Sequence, residues 1–316
     1  MGRADHISKL YTALGMHSFR EPDVTQESAS VPLQRLLDQL NQGAANCVCP
    51  PELVEGPRGE LYSDPLAPKV VVVVSATGGV GRSTLAAAIA SGLQRQGHPA
   101  LALDLDPQNA LRHHLCPGAD LPGLGATSLL NQTWQALPER GFAGCRLVAF
   151  GETDPVQQQS LTRWLGQDLE FLGKRLGGLG LSGQDTVVID VPAGDTVYLS
   201  QAMSMADVVL VVVKPDAASF RRLANMDEVL APYLEGGSPA ERFYVINQVD
   251  GAHAFSQDMA TVFKLRLGDA VLGAVHRDPS FREAQAYGND PLDPLLNSIG
   301  CQDVNALCRA LKGRLH

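Results

Sequence analysis

The stretch Lys69–Leu85, KVVVVVSATGGVGRSTL, decides the fold. Five valines, Val70 to Val74, run without a polar break. A strand of a parallel sheet is covered on both faces and reads as such an unbroken apolar run. Two glycines, Val80, Gly81, Arg82, Ser83 and Thr84 follow, and an alanine-rich helical pattern comes next. The reading is a buried strand, a tight glycine loop and a helix N-terminus. Glycines let the backbone approach a ligand, and the first N–H groups of the helix point at it. Phosphate suits that geometry. The strict phosphate-loop pattern is G-x-x-x-x-G-K-[ST]. Gly81 and Ser83 keep it, whereas Ala76 replaces the first glycine and Arg82 the lysine. Arginine brings a planar fork in place of a compact ammonium, so the exchange alters the chemistry.

Outward from this loop, the helix is expected from about Gly81 to Gln96, where Gly97 and Pro99 stop it. The next strand, Ala100–Asp104, leads into Asp106-Pro107-Gln108. A second buried strand, Thr186–Asp190, also ends in an acid. Carboxylates at the carboxyl ends of strands beside a phosphate loop stand where Mg²⁺ and an attacking water are held. The competing reading for Asp104 and Asp106 is turn and cap chemistry, which Asp-Pro favours. Further strands are expected at Cys145–Phe150, Val208–Val213, Phe243–Ile246 and Val271–Val275. Helices are expected from Pro155 to Leu176, with Asp154 as cap and Gln157 completing a capping box, and from Ala217 to Leu230. This alternation predicts an α/β fold with a parallel sheet and helices on both faces.

The 316 residues suffice for one such domain, 69–316, plus an appendage, 1–68. The appendage is rich in proline and serine. It carries two short amphipathic patterns, Ile7/Leu10/Tyr11/Leu14 and Val31/Leu33/Leu36/Leu37/Leu40, which read as docking helices on a tail or as an inert leader. At the other end, Val304, Leu307, Cys308, Leu311 and Leu315 share a helical face. That face closes the core or lies on a membrane. Net charge is -9, which argues against a general nucleic-acid surface. The 6 cysteines are irregularly spaced and read as reduced thiols; His113, His114 and Cys116 form the one tempting metal cluster. With neither a leader pattern nor an apolar run near membrane length, the chain reads as cytoplasmic.

ATGGVGRST, LDLDPQNA, VVIDVPAG, ADVVLVVVKPD, VINQVD and PSFREAQAYGNDP occur in the order found in the MinD/ParA class of deviant phosphate-loop ATPases, and the chain resembles that class over residues 69–316. The resemblance implies a sheet of seven or eight strands and an ATP-dependent homodimer with nucleotide sandwiched between protomers. It implies that Gly78, Gly79, Val80, Gly81, Arg82, Ser83 and Thr84 hold the phosphates, with Ser83 on Mg²⁺. Asp106 would position the water in the first switch and, with Asp190 at the start of the second switch, help hold the metal; Arg82 would act with Asp106 in catalysis, and Asn247 would read the adenine edge. The class's signature lysine falls at Thr77 and its phosphate-loop lysine at Arg82, so ATP binding is expected to outlast efficient turnover. Arg112 is a candidate substitute cation.

Within the class the chain is most similar to the MinD-like proteins of bacterial cellulose-secretion operons. Its segment DHISKLYTALGMHSFREPDV resembles short regulatory segments encoded beside cellulose synthases. The implied partners are cytosolic components of a cellulose synthase complex, with recruitment to the inner membrane through them. The alternative is a partition or positioning ATPase cycling on membrane or DNA. A third possibility is a small-molecule kinase on the same fold, for which residues 107–185 would have to supply the substrate site.

Overall fold

The computed structural model describes residues 67–194, 196–235 and 240–315. The two docking helices and the N-terminal resemblance lie outside the described residues. Eight strands form one sheet: β1 (Lys69–Val74), β2 (Ala100–Asp104), β3 (Glu139–Arg140), β4 (Arg146–Val148), β5 (Thr186–Asp190), β6 (Val208–Val213), β7 (Glu241–Val249) and β8 (Val271–His276). Their order is β3-β4-β2-β5-β1-β6-β7-β8. Every neighbouring pair is parallel except the short edge pair β3–β4.

β1 runs through the centre, between β5 and β6. Side chains alternate across a strand, so its valine run serves two cores. Val70, Val72 and Val74 face one layer, and Val71 and Val73 face the other. The first layer holds α3 (Leu124–Leu129), α4 (Pro155–Leu165), α5 (Phe171–Gly177), α6 (Val197–Met203), α8 (Leu223–Leu234) and α9 (Ala254–Leu267). The second holds α1 (Arg82–Arg95), α2 (Leu111–Leu115) and α11 (Ile299–Lys312). Two small helices complete the chain, α7 (Ala217–Arg221) and α10 (Pro279–Tyr287).

The capping box at Asp154 forms as expected: its carboxylate accepts from the backbones of Val156 and Gln157, and Gln157 Oε1 accepts from Asp154 N at 2.9 Å. The helix does not run on to Leu176, however. It stops at Leu165 and restarts at Phe171. Gln201 of α6 reaches into the break. Its Nε2 donates to Leu165 O and Asp168 O, and its Oε1 accepts from Leu172 N at 3.0 Å. A side chain distant in sequence thus satisfies the backbone groups that a continuous helix would have paired internally. The helix expected over 217–230 is likewise divided, at Arg222, and continues to Leu234.

The apolar face of α11 is spent on the core. Val304, Leu307, Cys308, Leu311 and Leu315 are all buried against the second layer, and this face is closed to a membrane. The seam between α11 and α1 is close. A Cβ added at Gly92 would stand 2.7 Å from Cys308 Sγ. We expect Gly92→Val to lower stability by about 1–3 kcal/mol through overpacking. Replacing Cys308 by Ala in the same chain should recover part of that loss; denaturant midpoints of the four members of the cycle measure it.

Candidate functional site

The carboxyl ends of β1, β2 and β5 converge on the loop between β1 and α1. Such crevices, where strand order reverses in an open parallel sheet, are where ligands bind. Gly79 (φ 75) and Gly81 (φ 84) are in left-handed conformations that side chains disfavour. Gly81 is also the N-cap of α1, which presents the loop's amides at a helix N-terminus. Within the loop, Ser75 Oγ donates to Thr77 O at 3.0 Å. The end of β7 supports it from below: Asn247 Nδ2 donates to Val80 O at 2.8 Å, and Gln248 Nε2 to Gly79 O at 3.3 Å. Asn247 therefore contacts the phosphate loop, a role that spacing did not reveal.

The three acids divide their work. Asp104 is fully buried and spends both oxygens on backbone, accepting from Asp106 N and Leu111 N at 3.0 Å each. Turn chemistry accounts for it. Burial, reinforced by the charge of Asp190, holds its carboxyl well above the usual carboxylate range. Asp106 Oδ1 accepts from Gln108 N at 2.9 Å, and its Oδ2 pairs with Arg82 Nη2 at 2.5 Å. Asp190 Oδ1 pairs with Arg82 Nε at 2.5 Å. Arg82 thus enters the crevice as the first residue of α1 and is only 9% exposed. Burial opposes its charge, but Asp190 and then Asp106 outweigh burial and hold the guanidinium more firmly protonated than usual. Burial also raises Asp190, while Arg82 and the Ser83 hydroxyl pull it back.

Buried polar atoms without a hydrogen-bond partner gather in the same region: Oδ2 of Asp190, both side-chain polar atoms of Asn109, and Nε of Arg112. Asn109 lies just past Asp106, in a left-handed conformation (φ 52). Orphaned groups of this kind mark a place where water, an ion or a ligand belongs. Asp190 Oδ2 and the neighbouring Ser83 hydroxyl are hard oxygen donors, and they fit Mg²⁺, which keeps much of its water.

The cluster at His113, His114 and Cys116 resolves differently. Among the described residues no three His, Cys, Asp or Glu side chains are grouped to hold a metal ion. His114 Nε2 instead lies 3.3 Å from Thr84 Oγ1 on α1. At the position of the signature lysine, Thr77 is half-buried and brings no charge. Arg112 Nη2 pairs with the exposed Glu152 at 3.2 Å, while its Nε has no partner. Sequence reasoning overlooked Arg222. It is exposed, and its Nη1 lies 3.5 Å from Ala76 O, one residue from Thr77. Its place at the α7–α8 break, which periodicity did not show, puts it there.

The chain matches the family "Cellulose biosynthesis protein BcsQ" over residues 69–310. It belongs to the BcsQ family. A BcsQ relative from Salmonella typhi is 26% identical over 232 residues, covering 73% of this chain and 88% of the relative. BcsQ of Escherichia coli K12 is 31% identical over 150 residues, 46% of this chain and 59% of that one. Among solved structures, the fold is similar to the cell-division ATPase MinD of Pyrococcus furiosus, with TM-score 0.62 and 19% identity over 78% of this chain and 99% of that one. It is also similar to a plasmid partition protein of Borrelia burgdorferi bound to AMPPNP, with TM-score 0.63 and 18% identity over 78% of this chain and 100% of that one. The chain is thus a BcsQ-family protein with the MinD/ParA fold.

Gly81→Val should distort the loop and lower the denaturant midpoint. The left-handed backbone alone costs a side chain about 1–2 kcal/mol. In addition, a Cβ here would stand 2.6 Å from Asn247 Nδ2 and disturb the loop's support. Stability should also fall on acidification. Burial, followed by the charge of His113, pushes His114 down to about 4, whereas an unfolded histidine titrates near ~6.5. Between those values the unfolded chain binds more protons, so stability drops as pH falls through that window and levels off below it. A His114→Gln variant should show a smaller loss of denaturant midpoint over the same window.

Proposed function

We propose that this BcsQ-family protein is an ATP-binding, nucleotide-dependent dimeric scaffold and regulator of bacterial cellulose synthesis and secretion, with slow or absent hydrolysis. The observation that carries this reading is the phosphate loop at the strand-order reversal, with Arg82 and Thr77 at both lysine positions of the class. The amides of Gly78 to Thr84 take the phosphates. Ser83, Asp106 and Asp190 would hold Mg²⁺, and Oδ2 of Asp190 is unpartnered. The ion supplies neutralisation of phosphate charge. Asp106 orients water. Asn247 has its Nδ2 committed to Val80 and offers its Oδ1 to the adenine edge.

Loss of a cation that acts on a transferring phosphoryl group costs on the order of 10³ in rate. Thr77 lacks that cation, which supports a bound, slowly turning-over state. The protein would act on the cytosolic side of a cellulose synthase complex as a homodimer across bound nucleotide. Membrane contact through partners is supported by α11, whose apolar face is buried.

Arg222 favours the alternative of a cycling positioning ATPase, because it places a guanidinium beside Thr77. Mass in solution and phosphate release, measured together with ATP and Mg²⁺, decide between the two. A stable dimer with release of at most a few turnovers per hour supports the scaffold. Steady release with dimer-to-monomer cycling, lost in Arg222→Ala, would overturn it.

A further inference from the structure

The acids at the strand ends are already occupied. Asp104 has none free. Asp106 has given one to the Gln108 amide and one to Arg82. Asp190 has given one to Arg82 and retains only Oδ2. Asp190 is fully buried and Asp106 nearly so, on segments leaving the adjacent strands β5 and β2. Two buried carboxylates so placed need a cation, because each disfavours the charge of the other. Arg82 supplies it, with its Nε on one acid and its Nη2 on the other.

A hard divalent ion takes carboxylate oxygens at about 2.0–2.1 Å and demands its own geometry. It cannot share Asp106 Oδ2 or Asp190 Oδ1 with a guanidinium in contact with both. An ion held on Asp190 Oδ2 alone would face the fixed positive charge of Arg82 across the same carboxylate, in a site with little water to screen it.

We infer that Arg82 is the resident cation of the Asp106–Asp190 pair, and that a divalent cation occupies this pair only after the guanidinium has moved away. Resting on the reading above, polyphosphate is what moves it, since a guanidinium pairs bidentately with phosphate oxygens. Cation and nucleotide then bind with positive coupling, and each strengthens the other by the same factor. A lysine at this position would have one point charge to place, whereas the arginine fork spans both acids.

The test uses Mn²⁺ with the full chain and no nucleotide, so it stands apart from the nucleotide reading. Free Mn²⁺ is counted by electron paramagnetic resonance during titration. Wild type should show no site attributable to these acids. Arg82→Met, which keeps length and removes charge, should acquire one site at least roughly tenfold tighter, and Asp190→Asn in that background should remove it. Because Arg82→Met leaves two uncompensated acids, Mn²⁺ should also raise its melting temperature while leaving wild type unmoved. A variant that folds only with Mn²⁺ present gives the same support. Equal Mn²⁺ binding by wild type and Arg82→Met, or no gain of a site or of stability in the variant, overturns the inference. If the Mn²⁺ pattern holds but wild type binds no ATP, the proposed function falls and the resident-cation assignment stands.

Discussion

The guanidinium of Arg82 joins the ends of three neighbouring structural units. It opens the helix after β1, pairs with Asp106 just beyond β2 and pairs with Asp190 at the tip of β5. Desolvating three charged groups is costly, and removing one partner of a buried pair leaves a worse state by about 3–5 kcal/mol. The geometry of the crevice follows from this constraint. Asp104, beside Asp190 in the sheet register, is relegated to backbone acceptance, and its carboxyl is pushed toward neutrality. The loop glycines and Asn247 then fit around a fixed charged centre.

The strands that form the floor of the site could be read from the chain because burial on both faces leaves a continuous apolar run. Thr186–Asp190 and Val208–Val213 are found at the expected bounds. The helix after the loop is shorter than expected by a single residue at each end. Edges were harder. The strand expected at Phe243–Ile246 spans Glu241–Val249, because backbone pairing with β6 and β8 extends it beyond its apolar centre. The two-residue β3 carries only Glu139 and Arg140, both exposed, and offers no periodic signal. The break between α4 and α5 depends on Gln201, a residue that local propensity cannot connect to it.

The site was legible at the level of residue types and less so at the level of partners. Spacing singled out Arg82, Asp106 and Asp190 as near one another. It did not reveal that the arginine ties the two acids together, because the contact joins positions 24 and 108 residues apart. Nor did it separate Asp104 from Asp106, since both stand at the end of one strand and both suit turns. Their hydrogen bonds make the distinction. The family resemblance and the bottom-up reading converge on the same loop, yet the two lysine positions are where this chain departs from the class. Arginine and threonine there change both the reach and the count of positive charges.

The close seam between α1 and α11 has a mechanical consequence. Packed helices with no spare volume move as one body, because close-packed interiors transmit strain. α1 begins in the phosphate loop, and Gly92, where it touches Cys308, lies about 15 Å further along its axis. A tilt of α1 at the loop is therefore carried to α11, whose outer face presents Gln302 and Arg309 to solvent. Load on that outer face is therefore shared with α1 and with the loop it opens.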